Sequence, residues 1–173
     1  MVKTNINLFA EGEVVYTDGG VLAEFAWVLV VLPFIAALII TFAGKSLPLK
    51  GAEIALGTIG IIFIYSLALM YLHVTEGVAN EFFINVGNIG QFDIEFGWVV
   101  DGLSIMMYFV VGLVALLVFI YATNYMEGEI RYTFFFTSLT LFAGSMLVLV
   151  SSPTLIQILI GWELVGVCSY LLI

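Results

Sequence analysis

Apolar and polar positions in this chain fall in blocks rather than in alternation. Five apolar runs stand out, near Glu24–Phe42, Ala52–His73, Gly102–Tyr121, Phe134–Val150 and Leu155–Ile173. A helix needs about 20 predominantly apolar residues to cross a bilayer core roughly 30 Å thick, and each run is of that order. In lipid a spanning segment must satisfy its own backbone hydrogen bonds. Continuous apolar runs therefore predict helices, whereas a barrel strand would show alternation with a period of two. The first run contains Pro33, which removes a backbone donor and predicts a kink.

The connections differ in character. Residues 44–51 are short and basic, with Lys45, Lys50 and Pro48. Residues 75–101 are long and acidic, with Glu76, Glu81, Asp93, Glu95 and Asp101. Residues 124–132 are mixed, and Ser151-Ser152-Pro153-Thr154 reads as a tight turn. Within the long connection, Phe92-Asp93-Ile94-Glu95-Phe96 alternates as a half-buried strand does. Phe82–Val86 is its expected partner, and Gly87-Asn88-Ile89-Gly90 the expected turn, giving a hairpin over about 82–98 on the membrane face. Asp93 and Glu95 are expected on its solvated side. Asp101 precedes an apolar run and is expected to cap a helix.

The fold class expected is thus an all-α multi-pass membrane protein. It has about five transmembrane helices and a short outward-facing β-hairpin between helices 2 and 3. Residues 1–23 are read as an outward-facing N-terminal segment and residues 24–173 as the membrane domain.

Composition agrees with lipid as the solvent. The chain is 63% hydrophobic, has a mean hydropathy of +1.21 and carries 10% charged residues, against about 25% in a soluble domain. Net charge is −9, and Lys3, Lys45, Lys50 and Arg131 are the basic residues. That balance excludes a nucleic-acid surface, which needs clustered cations. Under the positive-inside rule the Lys45/Lys50 connection faces the cytoplasm, which places the N-terminus and the acidic connection outside, across a plasma (inner) membrane. The mixed start, with Glu11, Glu13 and Asp18, does not resemble a cleavable signal peptide. Cys168 stands alone in the sequence and predicts neither a disulfide nor a thiolate metal site.

The chemistry concentrates at Glu163. This carboxylate lies near the middle of the last apolar run, where it costs about 2.5–3.5 kcal/mol on insertion scales. The plain alternative to a transport role is a polar group lodged between packed helices. Positions 159, 160, 166, 167 and 170 share its helix face, and Gly166 leaves room for another backbone, so that face is expected to point into protein. A carboxylate in apolar surroundings holds a proton unless a cation lies beside it. No Lys or Arg occurs in the five runs, so the cation must come from outside this segment. Proton transfer through Glu163 is the expected catalytic role; no cofactor-binding or metal-ligating residue is expected. His73, Tyr121, Tyr125 and Tyr132 read as interface anchors. Gly57-Thr58-Ile59-Gly60 reads as helix packing rather than phosphate binding. Neither a nucleophile–base pair nor a nucleotide-binding loop is visible.

Gly161-Trp-Glu-Leu-Val-Gly-Val-Cys-Ser-Tyr-Leu-Leu-Ile173 closely resembles the fifth-helix signature of the antiporter-like subunits of respiratory complex I, of the chain 5 or L type. The A subunit of Mrp-type Na⁺/H⁺ antiporters is similar here. Phe96-Gly-Trp-Val-Val-Asp-Gly-Leu-Ser104 resembles the family's entry to its third helix. Asn124-Tyr125-Met126, Arg131-Tyr132 and Phe134-Phe135 resemble its next connection. The resemblance implies a proton-translocating membrane subunit of an NADH–quinone oxidoreductase. In that family the matching glutamate pairs with a lysine on a later, broken helix. NADH, flavin, iron–sulfur clusters and quinone would belong to other subunits, and the partners would be the other membrane subunits, the bilayer and protons. Members of the family are several times longer, so this chain is expected to be the amino-terminal portion of such a subunit. The alternatives are an Mrp-type antiporter subunit, or a truncated and purely structural membrane fragment.

Overall fold

A computed structural model of the chain describes residues 20–89 and 92–173. The reading of residues 1–23 as an outward segment falls almost wholly outside that range. A short helix α1, Gly20–Glu24, precedes α2, Trp27–Ala43, and a 3₁₀ turn follows at Gly44–Ser46. Then come α3, Ala52–Glu76, strands β1, Asn80–Ile89, and β2, Phe92–Val100, and helices α4, Gly102–Tyr125, α5, Tyr132–Ser151, and α6, Leu155–Leu172. Among the described residues, five helices are long and apolar enough to cross a membrane. Where the sequence reading begins the first at Glu24, the chain turns at residues 25–26 and the long helix starts at Trp27. The third spanning helix continues to Tyr125 rather than ending at 121.

Helix α5 is the hub. It packs along α2 and along α6 and also touches α3 and α4, while α3 packs mainly on α4. Small residues permit close approach, as is usual where lipid offers no hydrophobic drive between helices. A Cβ at Gly144 of α5 would lie 3.1 Å from the ring carbon Cβ of Pro33 on α2, so the proline sits at a helix contact. A Cβ at Gly112 of α4 would lie 3.3 Å from the Cα of Phe63 on α3. The large core side chains are Leu29, Ile40, Ile62, Tyr108, Phe119 and Phe136, all fully buried. Two buried hydroxyls on α5 bond within the helix: Thr140 donates to the Phe136 carbonyl at 2.7 Å and Ser145 to that of Leu141 at 2.8 Å.

Both expected local signals between α3 and α4 form, with one shift. Asp101 caps α4: its Oδ1 accepts the Ser104 N–H at 2.7 Å, and the Ser104 hydroxyl accepts the Asp101 N–H at 2.8 Å. The hairpin is antiparallel and longer than expected. Gly87, Asn88 and Ile89 pair with Ile94, Asp93 and Phe92 instead of forming the turn. The register slips between Asn85 and Gly87, where an extra residue on β1 lets pairing resume beyond it.

At the far end of α3, Gly77 adopts φ +66 and its N–H donates to the His73 carbonyl at 3.0 Å, a left-handed helix cap. His73 is fixed there too. Its Nδ1–H donates to the Val78 carbonyl at 2.6 Å, a tautomer required because a carbonyl can only accept. The bond ties the last turn of α3 to the connection that leads into β1.

Candidate functional site

The orientation of α6 decides where Glu163 points. Thr154 opens the helix: its hydroxyl accepts the Gln157 N–H at 3.4 Å and donates to the Glu95 carbonyl of β2 at 3.1 Å. One turn on, the buried Gln157 side chain clamps β2. Its Oε1 accepts the Gly97 N–H at 2.9 Å and its Nε2 donates to the Gly97 carbonyl at 2.8 Å. Gly161 then lies against α5, where an added Cβ would meet the Leu149 backbone at 3.0 Å. Cys168, buried, lies 3.8 Å from the Ser145 hydroxyl. These contacts define one face, set by residues 157, 161 and 168, that is turned to the rest of the chain.

Glu163 lies on the other face. It is exposed, as are Leu159, Ile160, Gly166, Val167 and Tyr170 around it. The described residues leave that face open, so protein that it is expected to point into would lie outside them. A Cβ added at Gly166 would have nothing within 4 Å; the close approach is made by Gly161 instead. The cause is the Gln157 clamp, which fixes the helix rotation through groups that apolar periodicity does not register. Among the described residues nothing pairs with the Glu163 carboxylate. The residue stands eight positions into α6, about 12 Å along the axis.

Other expected sites resolve differently. Tyr121 and Tyr125 are exposed and stacked, 5.6 Å between ring centroids, as interface residues can be. Tyr132 is not such a residue: it is buried and packs on Phe136 at 4.8 Å, because α5 begins beneath the 44–51 connection. Among the described residues, a Cβ added at Gly57 or Gly60 would meet nothing within 4 Å, so the expected packing role is not used there. Glu95 is half-buried, while the side chain of Asp93 lies outside what is described. Among the described residues no three His, Cys, Asp or Glu side chains gather as a metal site would require.

Comparison with known proteins adds the family. Residues 87–136 match the model of the NADH-Ubiquinone oxidoreductase (complex I) chain 5 N-terminus. Chain 5 of the NAD(P)H-quinone oxidoreductase of Synechocystis is 38% identical over 159 residues, which cover 88% of this chain and 23% of that protein. Subunit 5 from the chromatophore of Paulinella chromatophora is 36% identical over 157 residues, 87% of this chain and 24% of that one. The chloroplast subunit 5 of Chlorokybus atmophyticus is 37% identical over 157 residues, with the same coverage. The chain belongs to the complex I chain 5 family. It spans about a quarter of the length of the curated relatives it matches. The family model covers the end of β1, β2, α4 and the first turn of α5. In this chain 5 relative, the orientation of α6 is therefore information that the structure contributes.

Proposed function

We propose that this chain is part of a proton-translocating membrane subunit of an NAD(P)H–quinone oxidoreductase, and that Glu163 is the group that takes up and gives back the proton. Redox chemistry and quinone reduction belong to other subunits in this reading. The observation that carries it is the placement of Glu163 midway along an apolar helix, on the face that the other described helices leave uncovered. A carboxylate at that depth is stable only in its protonated form or beside a cation.

The cation is supplied by protein lying against the open face of α6. When the cation is close, the carboxylate is held ionised; when it moves off, the carboxylate takes a proton. A conformational change driven by quinone reduction elsewhere in the complex would control that distance. The rigid contacts on the opposite face support this reading, since they leave Glu163 fixed while a partner moves.

The test is Glu163→Gln in the intact complex, which keeps shape and removes titration. The expected result is quinone reductase activity with fewer protons moved per electron pair, read by acidification of sealed vesicles. Unchanged stoichiometry and rate would overturn the role.

A further inference from the structure

Lys45, Lys50 and Arg131 are far apart in sequence, yet the fold gathers them. They line one open pocket of about 630 Å³ together with Ile130, Tyr132, Thr133 and Phe134. The fold builds this pocket rather than leaving three loose side chains. Lys50 is held at φ +50, a left-handed conformation that a lysine keeps only when its surroundings impose it. Gly51 follows at φ +98. The Lys50 carbonyl accepts the Thr133 hydroxyl at 3.1 Å, which ties the 44–51 connection to the start of α5. An added Cβ at Gly44 would meet the Thr133 methyl at 2.8 Å, so the two segments are in tight contact.

All three cations are exposed, and among the described residues none forms an ion pair. No acidic side chain is among the residues that line the pocket. Glu53 directs one carboxylate oxygen to the Leu49 N–H at 3.2 Å and buries the other, and it does not line the pocket. Glu127 and Glu129 lie on the neighbouring connection, outside the lining. The surroundings are apolar: Phe42 at the end of α2, Ile130 and Phe134 are exposed at the same end of the helices.

We propose that this pocket binds the phosphate-bearing headgroup of an anionic membrane lipid. Three unpaired cations supply the charge, and basic pockets at the ends of membrane helices recognise such headgroups. The volume exceeds what one phosphate ion fills, and the exposed Phe42, Ile130 and Phe134 give acyl chains an apolar surface. The proposal does not depend on the role of Glu163.

The test uses the full chain in nanodiscs of equal parts phosphatidylglycerol and phosphatidylcholine, extracted gently, with the retained lipids weighed by native mass spectrometry. The expected result is retained phosphatidylglycerol in excess by on the order of tenfold. Lys45→Gln, Lys50→Gln and Arg131→Gln together bring the ratio back to that of the bulk lipid. Lys45→Arg, Lys50→Arg and Arg131→Lys together keep the excess, which separates charge from folding. If the triple neutral variant does not accumulate, the three single variants each lower the excess. Equal retention of both lipids by the wild type overturns the proposal, as does an undiminished excess in the neutral variants. Selective displacement by inorganic phosphate, beyond that by sodium chloride of equal ionic strength, would assign the pocket to a free anion and also overturn it.

Discussion

A single buried amide carries much of the local geometry. Gln157 answers both backbone groups of Gly97, and its burial shuts those atoms off from solvent. Gly97 itself is required, because a Cβ there would overlap the Phe82 carbonyl oxygen across the hairpin. Gln157→Leu keeps the volume of the side chain and removes both hydrogen bonds. Each buried group left unpaired costs about 1–3 kcal/mol. The expected outcome is a lower unfolding midpoint in detergent and faster amide exchange in β2. Unchanged exchange at residues 95–98 would show that the clamp is not what seats the hairpin on α6.

Among the elements, α6 is the one whose rotation matters, and two of its glycines test it in opposite directions. At Gly161 a methyl group would press on the Leu149 backbone, which cannot yield as a flexible side chain could. Gly161→Ala is expected to loosen α6 from α5 and to destabilise the protein by about 1–3 kcal/mol. At Gly166 a methyl group meets open space. Gly166→Ala in this chain alone is therefore expected to be neutral or to stabilise by about 0.5–1 kcal/mol, the usual gain from restricting a helical glycine. Chemical denaturation of both variants checks the contrast. Equal losses would mean that α6 is rotated differently from the arrangement described above. Its helix signal was readable from the apolar run, but the face it buries was not. The buried stripe is set by a glutamine, a glycine and a cysteine, which apolar periodicity weighs lightly.

At the scale of the whole molecule, the basic residues among those described lie at one end, with Glu53, Glu127 and Glu129 beside them, and the other end carries acids without Lys or Arg. Lys45, Lys50 and Arg131 gather at one end, whereas the hairpin end carries Glu76, Glu81, Glu95 and Asp101. The positive-inside rule then predicts that the basic end faces the cytoplasm. Ile130 is fully exposed at that end, so Ile130→Cys is expected to react with a membrane-impermeant thiol reagent only from the cytoplasmic side of vesicles. Glu81→Cys on the hairpin is expected to react only from the other side. Labelling in the reverse sense would invert the orientation and move the lipid pocket to the opposite leaflet.

Read alone, the sequence is enough for the five apolar helices, the hairpin between the second and third, the Asp101 cap and the anomaly of Glu163. Each is a local signal: the length of an apolar run, a period of two, a polar residue before a helix, a charge where lipid is expected. Three features are not legible there: which face of α6 meets α5, that Tyr132 is core while Tyr121 and Tyr125 are not, and that three distant cations share one pocket. Those follow from how the helices pack. Helix rotation and the meeting of distant side chains depend on close backbone approach at glycines and on hydrogen bonds between segments 60 and 83 residues apart, such as Gln157 to Gly97 and Thr133 to Lys50. No window along the chain contains both partners of such a contact, and in lipid a uniformly apolar helix gives no hydrophobic stripe to say which way it turns.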